Sequence, residues 1–202
     1  MTVPPYAVAY VVTVTVAWSA DHFNRLARDY RGKMCSKLLM DRLYSRGLHS
    51  AIFSFIGAMG FLASAVLPAD AYLVSTLYAP YDAFSQTSLK LTFQHRYGCL
   101  VVAASGAFAC IPPLLGWLSS NLRSTAGAGL AIALNVSFGA PGQIVGVWIY
   151  KANEAKKGYP TGHWTNAALL LFVAAGCVAL RFYYGWKNSR GFGDGTGKKF
   201  AY

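Results

Sequence analysis

Five long stretches without a single Lys, Arg, Asp or Glu divide this chain: residues 1–20, 50–69, 97–122, 124–150 and 164–180. A bilayer core about 30 Å thick is crossed by roughly 20 apolar helical residues. Four of the stretches meet that length outright. The fifth reaches it by running past Arg181 into 182–186, where the Arg stem can lie along the apolar core with its guanidinium at the surface. The pattern predicts an all-α polytopic membrane protein with five transmembrane helices, whose working groups lie within the bilayer.

Only 12% of the residues are charged, about half the share usual for a soluble domain. The net charge of +11 raises the question of nucleic acid, but the cations sit between and after the spans, as at one face of a membrane. No nucleic-acid partner is expected. With spans alternating in direction, thirteen of the eighteen Lys and Arg fall on one side: Arg25, Arg28, Arg31, Lys33, Lys37, Arg42, Arg46, Arg123, Arg181, Lys187, Arg190, Lys198 and Lys199. That side is expected to be cytoplasmic. Met1 then lies outside, which suggests a preceding helix. A cleaved signal peptide is the other reading of residues 1–20, but no basic region precedes the apolar run and Pro4-Pro5 opens it.

The spans differ in character. Residues 50–69 and 164–180 are mostly small and aliphatic and read as peripheral, lipid-facing helices. The 97–122 span carries Pro112-Pro113, which predicts a kink, and a run of small residues from Ala103 to Ala107 that admits a close neighbour. The first span alternates β-branched Val and Thr, a strand pattern in water, but its length favours a helix. The 124–150 span holds Asn135, Ser137, Gly139, Pro141, Gly142 and Gln143 within nine residues. Carboxamides at mid-membrane depth need a partner or a wet cavity, and the Gly-Ala-Pro-Gly run weakens the helix beside them. Two readings stand: a substrate-site helix of a secondary transporter, or tight helix packing through Gly139, Gly142 and Gly146 with Pro141 as a hinge. Asn135 and Gln143 are the candidates for substrate binding, with Tyr10 and Trp117 as wall residues.

No enzyme is expected. His22, His49, His95 and His163 are scattered at span boundaries, and there is no metal-binding helix motif or nucleophile elbow. The four cysteines show no ligand spacing, so neither a metal nor a cofactor is expected.

Two segments, 26–45 and 74–94, fit no span. With 26–45 skipped, the text Ala20-Asp21-His22-Phe23-Asn24-Arg25 runs into Arg46-Gly47. This resembles the acidic-basic loop motif of the major facilitator superfamily. Val3-Pro4-Pro5-Tyr6, Gly57-Ala58-Met59-Gly60-Phe61 and the run from Asn135 to Ile149, followed by Tyr150-Lys151, are similar to fungal anion:cation symporters, the group of allantoate, nicotinate and pantothenate permeases. The resemblance implies that residues 1–190 correspond to helices eight to twelve of such a transporter, with the first seven absent, and that 191–202 is a cytoplasmic tail. It implies a secondary transporter of a small organic anion, coupled to protons and set in the plasma membrane. Asp21, Arg25 and Arg46 would stabilise a gating loop. The alternative is a truncated, non-transporting membrane fragment or an incomplete gene model, paired with itself or with a complementary half. The two odd segments have codon choices compatible with intron ends, and unspliced introns read in frame would explain them. Genuine loop insertions are the other reading.

Overall fold

The computed structural model describes residues 3–29, 46–67, 97–122, 124–190 and 200. Segment 74–94 and positions 30–45 lie outside the described residues, while 26–29 complete the first helix. Five long helices make up the described chain, which contains no strand: α1 (Val3–Asp29), α2 (Arg46–Val66), α3 (Tyr97–Ser120), α4 (Thr125–Trp148) and α5 (Pro160–Ser189). Helices α2 to α5 are long and apolar enough to cross a membrane. α1 is not among those four; it runs on from its apolar part into the polar stretch from Asp21 to Asp29. The chain is an all-α polytopic membrane protein.

α1 shows how an alternating Val/Thr text becomes helical. Thr13 Oγ1 donates to Ala9 O at 2.7 Å, Thr15 Oγ1 to Val11 O at 2.8 Å and Ser19 Oγ to Val16 O at 2.9 Å. Each hydroxyl is satisfied within its own helix, as an apolar surrounding demands. Among the described side chains of α1, Ala9, Val16 and Ala20 form its buried stripe.

α2 is the centre of the structure, packed by α1, α3 and α5. This corrects the expectation of a peripheral, lipid-facing helix. Its buried residues are Gly47, Ser50, Ala51, Ser54, Gly57, Ala58, Gly60 and Ser64, which recur at three- and four-residue steps along one face. In a bilayer, small residues mark the side where another backbone comes close, because lipid tails and apolar side chains offer no hydrophobic contrast. Reading small as lipid-facing was therefore the wrong sign. α3 lies antiparallel on that face. A Cβ on Gly106 would meet Gly57 N at 2.5 Å and Phe53 O at 2.7 Å, and one on Gly60 would meet Ala103 N at 2.7 Å. The small-residue run of α3 does admit a neighbour, down to backbone contact.

α3 is interrupted at Cys110 and resumes as Ile111–Ser120, with Pro112 and Pro113 in its first turn. Neither proline has an N–H to donate, so the helix ladder breaks where the two prolines predict. α5 runs antiparallel to α2, burying Gly162, His163, Ala167, Ala174 and Cys177 along one side. α4 has no buried residue and runs unbroken through Pro141.

Candidate functional site

The helices bring two clusters together, one at each end of the bundle. At the end that collects Asp21, Arg46 and the α3 and α5 C-termini, Arg46 Nη2 donates to Asp21 Oδ1 at 2.7 Å and Nη1 to Gly116 O at 2.9 Å. One planar guanidinium thereby ties α1, α2 and α3. Its fork suits two acceptors in different directions. Beside it, Gly47 gives way to the Trp117 ring, three of whose carbons would lie 3.2 Å from a Cβ there. Trp117 is 4% exposed and packs with Ala51, Cys177, Leu114, Val173 and Tyr184. Its ring meets Tyr184 edge-on at 5.9 Å, a favoured aromatic geometry. Arg25 is exposed on α1.

At the opposite end, Tyr150 follows α4 and packs on α5. Asn166 Nδ2 donates to Tyr150 Oη at 2.8 Å, and a Cβ on Gly162 would lie 2.6 Å from the Tyr150 ring. His163, buried, sits between the rings of Phe61 at 6.0 Å and Tyr150 at 5.7 Å. The connection between α4 and α5 turns through Gly158 and Tyr159, both left-handed, with φ of 74° and 57°. The non-glycine Tyr159 is held there by its N–H on Glu154 O at 3.2 Å, by its ring on Tyr150 at 5.8 Å and by the following Pro160. Sequence reasoning missed this cluster. The signal was the three-residue step from His163 to Asn166 at the start of a span, with Gly162 opening space.

Glu154 closes the same turn. It accepts from Thr161 Oγ1 at 2.7 Å and from Thr161 N at 3.2 Å. The Thr161 hydroxyl holds its carboxyl below the usual carboxylate range; burial opposes this, while the Thr161 N–H and the charges of Lys151 and Lys157 add to it. A depressed folded value means that the stabilisation is present above the unfolded value of about 4.3 and fades as pH falls through the folded one. Amide exchange in 150–162, corrected for intrinsic rates, is expected to quicken on acidification below pH 4 in the wild type. Glu154→Gln is expected to flatten that response; an unchanged pH response in the variant contradicts the capping role.

The other sequence candidates do not converge with these clusters. Asn135 and Gln143 are exposed on α4 and make no hydrogen bond among the described residues. At 100° per residue, Asn135, Gly139, Gly142 and Gly146 share one face of α4, with Gln143 on its flank. Nothing lies within 4 Å of a Cβ added at any of the three glycines. The bulky Leu134, Val136, Phe138, Ile144, Val147 and Trp148 occupy the rest of the helix. The face is thus a strip of small residues, uncovered among the described residues, with a carboxamide at one end and another beside it. Tyr10 is 70% exposed on α1, and Trp117 is enclosed in the core described above. Among the described residues, no group of three or more His, Cys, Asp or Glu is arranged to hold a metal ion.

No protein-family model matches the chain, and no solved structure does. Over 191 residues, 94% of its length, the chain is 60% identical to the protein named MFS transporter prlL of Fungal sp. (strain NRRL 50135). It spans 30% of that protein's length. The chain is therefore a relative, along nearly all of its own length, of a major facilitator superfamily protein.

Proposed function

We propose that the chain contributes one wall of a secondary transporter for a small organic anion, with proton symport as the coupling mode. The observation that carries this reading is the carboxamide-and-glycine face of α4, uncovered along a membrane-spanning helix. Polar side chains at membrane depth are costly unless they serve a pathway or a partner. Glycines beside them let a solute approach the backbone, and amide N–H groups can donate to a carboxylate. The transporter named above supports the class; the resemblance to anion:cation symporters supports the substrate type and a plasma-membrane setting. In this scheme Asp21, Arg25 and Arg46 secure the loop end of the bundle while the α4 face binds.

Uptake of labelled nicotinate, pantothenate and allantoate into cells producing the protein tests the reading. Asn135→Ala and Gln143→Ala are each expected to lower uptake of the accepted anion about 10- to 100-fold, the worth of a hydrogen bond to a charged group. Both variants retaining full uptake would remove α4 from the binding site.

A second reading is favoured by the same helix having no buried residue. The chain would be a membrane component that transports nothing alone and needs a complementary half, or a second copy, against α4. It predicts no uptake by these 202 residues and recovery when the complementary half is co-produced.

A further inference from the structure

The last two turns of α5 carry a feature that the transport reading does not use. Tyr183, Trp186, Lys187 and Arg190 stand at three- and four-residue steps and so share one face of the helix. Lys187 Nζ lies 5.7 Å from the Tyr183 ring centre and 5.1 Å from that of Phe200. The Arg190 guanidinium carbon lies 4.2 Å over the Trp186 ring. Phe200 is brought to this place by Asn188, whose Nδ2 donates to Phe200 O at 2.9 Å and whose Oδ1 accepts from Phe200 N at 2.9 Å. Its ring stacks on Tyr184 at 5.2 Å. Tyr184 in turn abuts Trp117, so this docking is anchored in the core.

The two cations are thus positioned by ring faces rather than by carboxylates. Neither Lys187 nor Arg190 has an ion-pair partner among the described residues. A cation held on a ring face keeps its full charge for an outside anion. The exposed Phe182, Tyr183 and Trp186 are the residue types that seat at the level of lipid headgroups. Arg181 precedes the cluster, and the sequence adds Lys198 and Lys199 directly before Phe200. Five cations within 22 residues at the end of a spanning helix suit an anionic leaflet.

We propose that this face of α5, closed by the Asn188–Phe200 clasp, binds the headgroup of an anionic phospholipid, with its phosphate between Lys187 and Arg190 and its glycerol end against Tyr183 and Trp186. The full chain in neutral detergent, titrated with phosphatidylserine or phosphatidylcholine and read by native mass spectrometry, tests this. Phosphatidylserine is expected to bind to the wild type and to bind about 20-fold more weakly to Lys187→Gln/Arg190→Gln, at roughly fivefold per cation. Phe200→Ala is expected to weaken it severalfold, and Lys151→Gln/Lys157→Gln, at the opposite end, to leave it unchanged. Matched elution and thermal midpoints for all variants certify that they are folded. Equal binding of the two lipids, an unchanged Lys187→Gln/Arg190→Gln titration, or full displacement of the lipid by millimolar inorganic phosphate would each overturn the proposal, the last in favour of a soluble anion.

Discussion

Gly106→Leu is expected to unfold the α2–α3 pair, and Gly106→Ala to lower stability measurably. In an unpacked helix, Gly→Ala gains about 1 kcal/mol. At Gly106 the neighbours of an added Cβ are Gly57 N, Gly57 Cα and Phe53 O at 2.5, 2.6 and 2.7 Å, all of them backbone. Backbone cannot rotate away as a side-chain tip can, so the helices must separate, and overpacking costs about 1–3 kcal/mol or more. Gly139→Ala is the internal contrast. Nothing lies within 4 Å of its Cβ, so the helix-propensity gain should survive. Thermal midpoints of the detergent-solubilised variants should order as Gly139→Ala at or above wild type, then Gly106→Ala, with Gly106→Leu lowest or absent from the monodisperse peak. Equal midpoints for Gly106→Ala and Gly139→Ala would show that α2 and α3 do not touch at this point.

Arg46 should be the most sensitive charged position. Its side chain is 21% exposed and that of Asp21 57%. The ion pair is therefore largely hydrated and worth about 0.2–1 kcal/mol. The bond from Nη1 to the carbonyl of Gly116 lies in the partly buried seam between α2 and α3, and a charged donor there contributes about 1.5–3 kcal/mol. Arg46→Ala should then lose about 2–3 kcal/mol. Arg46→Lys should lose nearly as much, since the two bonds leave from separate nitrogens of a planar fork and an ammonium must reach both acceptors from one atom. Asp21→Asn should cost under about 1 kcal/mol, an effect that fades in high salt. Chemical-denaturation midpoints at low and high ionic strength give the order. A loss for Asp21→Asn as large as that for Arg46→Ala would place the stabilisation in the ion pair instead.

The five long helices and the α3 break were legible because each has a local cause: length without charge marks a helix of this kind, and Pro112-Pro113 removes two N–H donors. The ion pair of Asp21 with Arg46 was not, since the resemblance named both residues only as parts of a loop motif and the partner of each depends on how α1 packs on α2. The position of α2 was not legible from hydropathy, because Gly57, Ala58 and Gly60 score as mildly apolar whether they face lipid or a backbone. Their three- and four-residue spacing carried the information. The cluster around Tyr150 left a local trace in the Gly162, His163 and Asn166 spacing, but the partners, Tyr150 for Asn166 and Phe200 for Asn188, come from other segments that no local pattern specifies. The α4 face was legible as polar and glycine-rich, and nothing among the described residues covers it.

The closeness of α2 and α3 has a mechanical corollary. With backbone against backbone at Gly57 and Gly106, the two helices have no side-chain layer to shear, and between their contact points they form a single stiff beam. Compliance is then concentrated around Pro112 and Pro113, whose missing N–H groups leave two gaps in the hydrogen-bond ladder of α3, while Cys110 N and O still bond to Gly106 O and Leu114 N. A force applied at the Arg46 clamp would bend the bundle there, tilting the half of α3 that carries Trp117 while the Ala103–Gly106 half stays fixed to its neighbour.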